Sequence, residues 1–250
     1  MSTFSSKNKS GIFNRIENSS MHKSKIIIAS SLLLVLSACG DSNDEAPITP
    51  EPAEYSYAIT VTNLTYAQPL SPVAVILHDD SKMWMTGQPA TDSLEQLAES
   101  GDNSGFISDP NALASISGEG VVLPGAQSTV EITTTDKNAN YFTFASMLVN
   151  TNDAFTGLTG VDISNMAIDD AKSWNLNVYD SGTEANSEAA GTIPGPADGG
   201  TGFDASRNDV DFVALHSGVV SQDDGLSSSV LTQSHRFDNP AIKLTITRTK

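Results

Sequence analysis

The chain has 250 residues, of which 38% are hydrophobic, and its formal net charge at pH 7 is −17. This length allows one sizeable globular domain or two small ones. Only 13 basic residues stand against 30 acidic ones, which argues against a nucleic-acid-binding protein because neutralising phosphates requires clustered Lys and Arg.

The first 38 residues have the pattern of a secretory signal. Lys23 and Lys25 precede a short apolar run that ends in Leu-Ser-Ala-Cys at residues 36–39. A positive start, an apolar stretch of about 7–15 residues and small residues at the cleavage site are typical of a signal peptide, and the run is too short to span a bilayer. The polar residues before it are not needed for this signal, so Met21 is an alternative start. We predict a signal peptide over residues 1–38.

The ending at Cys39 resembles the lipobox of bacterial lipoproteins, which implies that this cysteine becomes the lipid-modified first residue of the mature chain. A disulfide is the weaker interpretation, because the chain has no second cysteine. Gly40 follows, and the resemblance to the enterobacterial sorting rule then favours the outer membrane. We predict an outer-membrane lipoprotein of a Gram-negative bacterium that faces the periplasm or the surface.

Cleavage before Cys39 makes the protein more acidic, because it removes five of the 13 basic residues and one of the 30 acidic ones and leaves a net charge of −21. Such a surface attracts divalent cations, although solubility or a saline habitat explains most of the charge equally well. The next residues, 41–54, are poor in apolar side chains and contain three prolines. They predict a flexible linker over residues 39–54, with a reach of roughly 20 Å, before a single domain over residues 55–250.

From Tyr55 onward the pattern is that of β-strands. Tyr57, Ile59 and Val61 recur with the period of two that is typical of a half-buried strand. A continuous apolar run at residues 73–77 indicates an inner strand. Seven or eight short strands separated by turn residues predict an all-β, antiparallel β-sandwich. The remaining strands are predicted at residues 121–123, 129–133, 141–148, 176–179, 210–215 and 241–247.

One short helix is predicted, over residues 92–100. Asp92 is placed to cap it with Glu95 three residues on, an apolar stripe follows, and Gly101 ends it. The Gly- and Pro-rich segment 191–204 predicts a long loop, whose composition fits a mobile spacer and a binding loop equally well.

Two groups of carboxylates follow apolar segments and lie among Gly, Thr and Asn, a pattern typical of loops at strand ends. One group holds Asp153 and Asp162, and the other holds Asp180 and Glu184. Oxygen side chains on loops are what Ca²⁺ requires, because it takes six to eight oxygens at about 2.3–2.6 Å and tolerates irregular geometry. Acidic loop residues more often simply face water. From the residues alone, a calcium site and a solvated surface both stay open.

Other metal and catalytic patterns are weaker. His78, His216 and His235 lie far apart without zinc-ligand spacing, and His78 on its apolar strand predicts a structural hydrogen bond. No Gly-x-Ser-x-Gly nucleophile motif is present. Asp180 and Glu184 could serve a glycosidase as paired carboxylates, but two acids on one loop suit a cation better than two groups that must flank a sugar.

Several segments occur in an order that points to a known family. They are S-P-V-A-V-I-L-H at 71–78, Trp84 with Gly87, L-A-E-S-G-D at 97–102, F-A-S-M-L at 144–148, N-T-N-D-A-F-T-G-L at 150–158 and Y-D-S-G-T-E at 179–184. Together they resemble the spondin N-terminal domain family, which includes F-spondin and mindin of animal matrix and many bacterial secreted proteins. The resemblance covers about residues 55–250.

The resemblance implies a C2-like β-sandwich with a calcium ion at one end. The family's ligands correspond to Asp153, Asp180 and Glu184. Asp162, from the same acidic group as Asp153, is a weaker candidate ligand without a counterpart in the family motif. The chain departs from the family pattern by having Ala154 where Trp is usual and Glu184 where Asp is common. Because Glu keeps the charge but lengthens the side chain by one methylene, the resemblance implies a looser site.

The resemblance further implies a calcium-binding module that binds a cell-surface, matrix or biofilm component, protein or glycan, without catalysis. The predicted lipid anchor would attach this module to the membrane. The alternative is a periplasmic or surface enzyme that acts on polysaccharide. The residues favour the binding module because they offer an ion site and no catalytic constellation. Whether calcium supports the contact surface itself or only the fold stays open, because binding and stability sites need not coincide.

Overall fold

The computed structural model describes residues 51–79 and 81–250. The predicted signal peptide over residues 1–38, the lipidated Cys39 and most of the predicted linker lie outside the described residues. Within the described ranges, every helix is too short or too polar to cross a membrane.

In the described part of the chain, ten strands form two antiparallel sheets that pack face to face. The four-stranded sheet has the order β4-β1-β10-β7, and the six-stranded sheet has the order β3-β2-β5-β6-β8-β9. The strands are β1 (Tyr55–Asn63), β2 (Ala74–His78), β3 (Ala112–Ser117), β4 (Gln127–Thr134), β5 (Tyr141–Met147), β6 (Ala154–Asp162), β7 (Ala171–Leu176), β8 (Val178–Asp180), β9 (Ala214–Leu215) and β10 (Ile242–Arg248).

This architecture confirms the predicted all-β sandwich, but several predicted strands are wrong in detail. Residues 121–123 form no strand, and Val122 makes one isolated bridge, to Leu70. The segment 210–215 is shortened to the two residues of β9, and the segment 176–179 is broken at Asn177 between β7 and β8. Three strands, β3, β6 and β7, were not predicted, because their Ala, Ser, Gly and charged residues weaken the alternation that marks a strand.

Strand β2 explains how the domain is layered. Val75 and Leu77 point into the core between the two sheets, whereas Ala74 and Ile76 pack under a helix on the other face of the six-stranded sheet. A strand buried on both faces has no polar face, which is why its sequence is a continuous apolar run. The helix that packs on this face also contributes a residue, Glu99, that contacts the candidate site.

That helix is α1 (Asp92–Ser100), with the predicted bounds. Its N-cap is Thr91 rather than the predicted Asp92, since Thr91 has extended backbone angles and its side chain accepts a hydrogen bond from the Leu94 N–H. Gly101 ends the helix in the left-handed conformation at φ 73°, as predicted. A short helix of one turn, α2 (Ser104–Ile107), follows, and 3-10 turns lie at Gln222–Asp224 and Gln233–His235.

Candidate functional site

Pairing between β6 and β8 brings two of the predicted site residues together. Ala154, the first residue of β6, lies opposite Asp180, the last residue of β8. Asp153 therefore lies beside the turn that leaves β8, and the Ser181 N–H donates a hydrogen bond of 3.2 Å to the Asp153 carbonyl oxygen. The residue before β6 and the turn after β8 therefore lie at the same end of the six-stranded sheet.

Asp153 is fully buried, with 0% of its surface exposed. Its Oδ2 accepts hydrogen bonds from the Ser181 hydroxyl at 2.9 Å and from the backbone N–H groups of Thr183 and Glu184, both at 3.1 Å. Its Oδ1 is also buried and has no hydrogen-bond partner within the described residues. One carboxylate oxygen is therefore held firmly while the other is left unsatisfied, an arrangement that costs free energy unless a further group meets it.

Asp180 and Glu184 flank this carboxylate. Asp180 is buried, and its Oδ1 and Oδ2 accept hydrogen bonds from the Gly182 N–H at 2.7 Å and from Asn186 Nδ2 at 2.6 Å. Glu184 is half-buried and follows in the same turn, where its backbone N–H meets Asp153. All three acids matched to the family's ligands thus lie around one turn.

Burial and neighbouring charges raise the pKa values of Asp153 and Glu184. Burial, and then the charge of Asp180, raise the pKa of Asp153 to about 7. Burial, and then the charges of Glu99, Asp153 and Asp204, raise the pKa of Glu184 to about 8. None of the ion pairs in the described part of the chain involves Asp153, Asp180, Glu184 or Glu99. Protons or a cation are therefore needed to balance the cluster at neutral pH.

Two residues of the cluster were missed from the sequence. Glu99 on α1 is fully buried and accepts a hydrogen bond of 2.7 Å from the Thr183 hydroxyl, and Asp204 lies beside it. The signal for Glu99 was available, because an acid four residues after Glu95 lies on the apolar side of an amphipathic helix. No sequence signal marked Asp204, which reaches the cluster only through the fold.

Asp162, the weaker predicted ligand, does not join the other three acids. It ends β6 opposite Tyr141, whereas Asp153 precedes the start of the same strand. Nine residues of strand separate them by roughly 30 Å. Asp162 is exposed, and its Oδ1 accepts hydrogen bonds from the hydroxyl and the N–H of Ser164. These two hydrogen bonds lower the pKa of Asp162. It behaves as an ordinary solvated turn residue.

The turn after β8 requires glycine at one position. Gly182 has φ 75°, and a Cβ atom placed on it would lie 2.3 Å from the carbonyl oxygen of Phe212. Segment 204–213 covers the turn at this point, with backbone hydrogen bonds from Asp211 N–H to Gly182 and from Asn208 N–H to Thr183. The site is therefore built from the turn and this covering segment together.

The predicted long loop over 191–204 is packed against the domain rather than extended into solvent. Ile193 is buried in the main core, and the Ala197 N–H donates to Asn150 Oδ1 at 3.0 Å. At its end, the Asp204 N–H donates to Glu99 Oε2 at 2.9 Å. The loop thus connects the segment before Asp153 to the acid cluster.

The histidines have separate environments. His78 is buried and its Nε2 hydrogen-bonds to the Thr143 hydroxyl at 2.9 Å, which confirms its predicted structural role. His216 is buried near Asp180, and its Nδ1 accepts a hydrogen bond from the Gly218 N–H. Because burial lowers its pKa, His216 is neutral near pH 7, and the proton of that neutral ring lies on Nε2.

The donor set suits calcium in its chemistry, but the side chains are not arranged as a finished coordination shell. No three His, Cys, Asp or Glu side chains within residues 51–79 and 81–250 lie close enough together to hold a metal ion as they stand. Both oxygens of Asp180 accept hydrogen bonds from local donors, and each keeps a second lone pair with which it could bind an ion. The buried Asp153 Oδ1 is the atom that a hard cation would satisfy.

Comparison with known proteins gives one clear match. A family model described as Spondin_N matches residues 64–192, just over half of the chain. The matched range includes Glu99, Asp153, Asp180 and Glu184, whereas Asp204 lies beyond it. No curated protein matches the chain. The chain therefore belongs to the spondin N-terminal domain family.

Proposed function

We propose that this protein is a membrane-anchored, calcium-binding β-sandwich module that binds a cell-surface, matrix or biofilm component without catalysis. The observation that supports the calcium site most is Asp153, a fully buried carboxylate with one unsatisfied oxygen next to Asp180 and Glu184. Carboxylates gathered in this way repel one another, and a divalent cation removes that repulsion.

In this proposal Asp153, Asp180 and Glu184 hold the ion together with backbone carbonyl groups and water. Calcium would balance the negative charge of these acids and would hold the loop before β6 and the turn after β8 together. Loops that are already ordered lose less conformational entropy when a partner binds, so a bound ion lowers the cost of gripping that partner. We therefore propose that this end of the sandwich forms part of the contact surface.

The N-terminal region supports a position at the cell envelope. The lipobox-like ending at Cys39 is proposed to attach the domain to the outer membrane through a lipid anchor. The polar linker before β1 has a reach of roughly 20 Å, which would separate the domain from the lipid headgroups. The strong negative charge disfavours direct contact with anionic lipid, so the domain is held near the membrane only through its anchor.

Attachment of cells that display the full chain tests the binding proposal. Cells that carry Asp180→Asn are expected to attach to host or biofilm surfaces less than wild-type cells, at a temperature at which the variant stays folded. Asp162→Asn is the matched control, because it removes the same charge from an exposed residue at the far end of β6. Full retention of attachment by Asp180→Asn places the contact surface elsewhere. Turnover of a polysaccharide by the wild-type protein overturns the non-catalytic proposal and favours the enzyme.

Metabolic labelling with a fatty-acid analogue tests the anchor. Wild-type protein is expected to incorporate the label, and Cys39→Ser is expected to incorporate none, because the thiol is the group that is lipidated. Equal labelling of the variant, or absence of label from the wild type, shows that the anchor is wrongly assigned.

A further inference from the structure

Helix α1 carries two buried acids that differ in how their charges are met. Glu95 and Glu99 lie one helical turn apart on the side that faces the protein, with 3% and 0% of their surfaces exposed. Glu95 forms an ion pair with Arg207, which also contacts Asp92 and Asp211. Glu99 accepts hydrogen bonds but takes part in none of the ion pairs among the described residues.

Glu99 is joined to the proposed calcium site through Thr183. The Thr183 hydroxyl has a single hydrogen and lies 2.7 Å from Glu99 Oε1 but 3.4 Å from Asp153 Oδ2, so it donates to Glu99. Its oxygen also lies 2.6 Å from the Ser181 hydroxyl, which has one hydrogen to share between Thr183 and Asp153 Oδ2. The Thr183 N–H then donates to Asp153 Oδ2 at 3.1 Å. The second oxygen of Glu99 holds the backbone of Asp204, where the covering segment begins.

We propose that Glu99 is a positioning residue of the calcium site, which acts on Asp153 through Thr183 and adds negative charge to the site. The proposal rests on the calcium-binding function proposed above. By orienting Thr183, Glu99 keeps the N–H donors on Asp153 Oδ2 and leaves Oδ1 available for the ion. By holding Asp204, it also fixes the segment that covers the turn. Ion binding is thereby linked to the docking of α1.

The charge of Glu99 explains why its effect should depend on calcium. Burial raises the pKa of Glu99, and when this carboxyl is ionised without the calcium ion it repels Glu184 and Asp204 in the folded protein. With the ion bound, the same charge attracts it. A purely structural residue stabilises the protein with and without calcium. Glu95 is expected to do so, because its charge is met by Arg207.

Calcium titration calorimetry of the full-length protein in detergent tests this proposal. Glu99→Gln keeps the shape of the side chain but removes the charge and one acceptor, and we expect it to weaken calcium binding about tenfold or more, as is usual for residues that orient metal ligands. In excess chelator the relieved repulsion and the lost acceptor oppose each other, so its melting temperature is expected to fall less in chelator than in calcium. Glu95→Gln is the matched control and is expected to lower the melting temperature in chelator while leaving calcium affinity within about twofold of wild type.

Thr183→Val tests whether Glu99 acts on Asp153 through Thr183, because it removes the hydroxyl that joins Glu99 to the turn. It also provides a test if Glu99→Gln does not fold. It is expected to weaken calcium binding severalfold, and the double variant Glu99→Gln/Thr183→Val is expected to lose less than the product of the two single losses. Calcium affinity that is unchanged in Glu99→Gln, or lowered equally in Glu95→Gln, overturns the role of Glu99 while leaving the calcium site intact. Wild-type protein that binds no calcium overturns the proposed function and this inference with it.

Discussion

Asp180→Asn is expected to lower the melting temperature of the protein by roughly 5–10 °C in saturating calcium and to leave it nearly unchanged in chelator. A ligand that binds only the folded state stabilises it by about 2.7 kcal/mol at one hundred times its dissociation constant, and 1 kcal/mol shifts the melting temperature of a domain of this size by roughly 2–4 °C. Without calcium the substitution costs little, because the Asn oxygen still accepts from the Gly182 N–H and the exposed Asn186 amide is free to turn.

Thermal unfolding with and without calcium measures this effect, and Asp162→Asn again serves as the control. Asp162 is exposed and far from the turn after β8, so its substitution is expected to change the calcium-dependent stabilisation by less than about 0.5 kcal/mol. Equal losses by Asp180→Asn in calcium and in chelator would show that the residue supports the fold without binding an ion.

The calcium-free protein is expected to become less stable as the pH rises from about 5 to 8.5. The pKa values of Asp153 and Glu184 are raised to about 7 and about 8 in the folded protein, whereas carboxyl groups in the unfolded chain titrate near 4. Between these values the folded state binds more protons than the unfolded state, so the free energy of unfolding falls with increasing pH. Asp153 alone accounts for a loss on the order of 2–4 kcal/mol, and the half-buried Glu184 adds to the same direction.

Urea unfolding at a series of pH values in excess chelator measures this dependence. Asp153→Asn is expected to flatten it, because the amide carries no titrating proton. Calcium is expected to oppose the loss, since protons and the cation compete for the same oxygens and binding strengthens as the acids ionise. Stability that rises steadily from pH 5 to 8.5 in chelator would mean that Asp153 is ionised in the folded protein without difficulty and that its burial is compensated by another group.

Local sequence pattern was a good guide wherever one face of an element is buried. The period of two in β1 and the apolar run of β2 predict their positions, because these strands pack against a core on one or both faces. The cap of α1 was placed one residue too late, since Thr91 and Asp92 are both good capping residues and only the backbone angles distinguish them. Strand β6 escaped prediction because its glycines and its flanking acids look like a loop.

Some residues of the candidate site could likewise be found from the sequence, and others could not. Asp153, Asp180 and Glu184 were found through motifs that lie close to one another in sequence and resemble a known family, and the pairing of Ala154 with Asp180 brings them together. Asp162 was included because it is near in sequence, yet a strand carries it to the opposite end of the sheet. Sequence distance and spatial distance diverge most along extended strands, which advance about 3.3 Å with each residue.

The sequence by itself determined the class of fold, the identity of the main acidic turn and the family, because hydrophobic periodicity and short motifs are local properties that survive without knowledge of contacts. Only the tertiary structure decided which acids meet and which of their oxygens are left unsatisfied. Glu99 reaches the turn after β8 because α1 packs on the outer face of the six-stranded sheet, and Asp204 reaches it because the 191–204 loop is held at Asn150. Contacts between residues so far apart in the chain depend on how the sheets, helix and loops pack, and no local pattern encodes them.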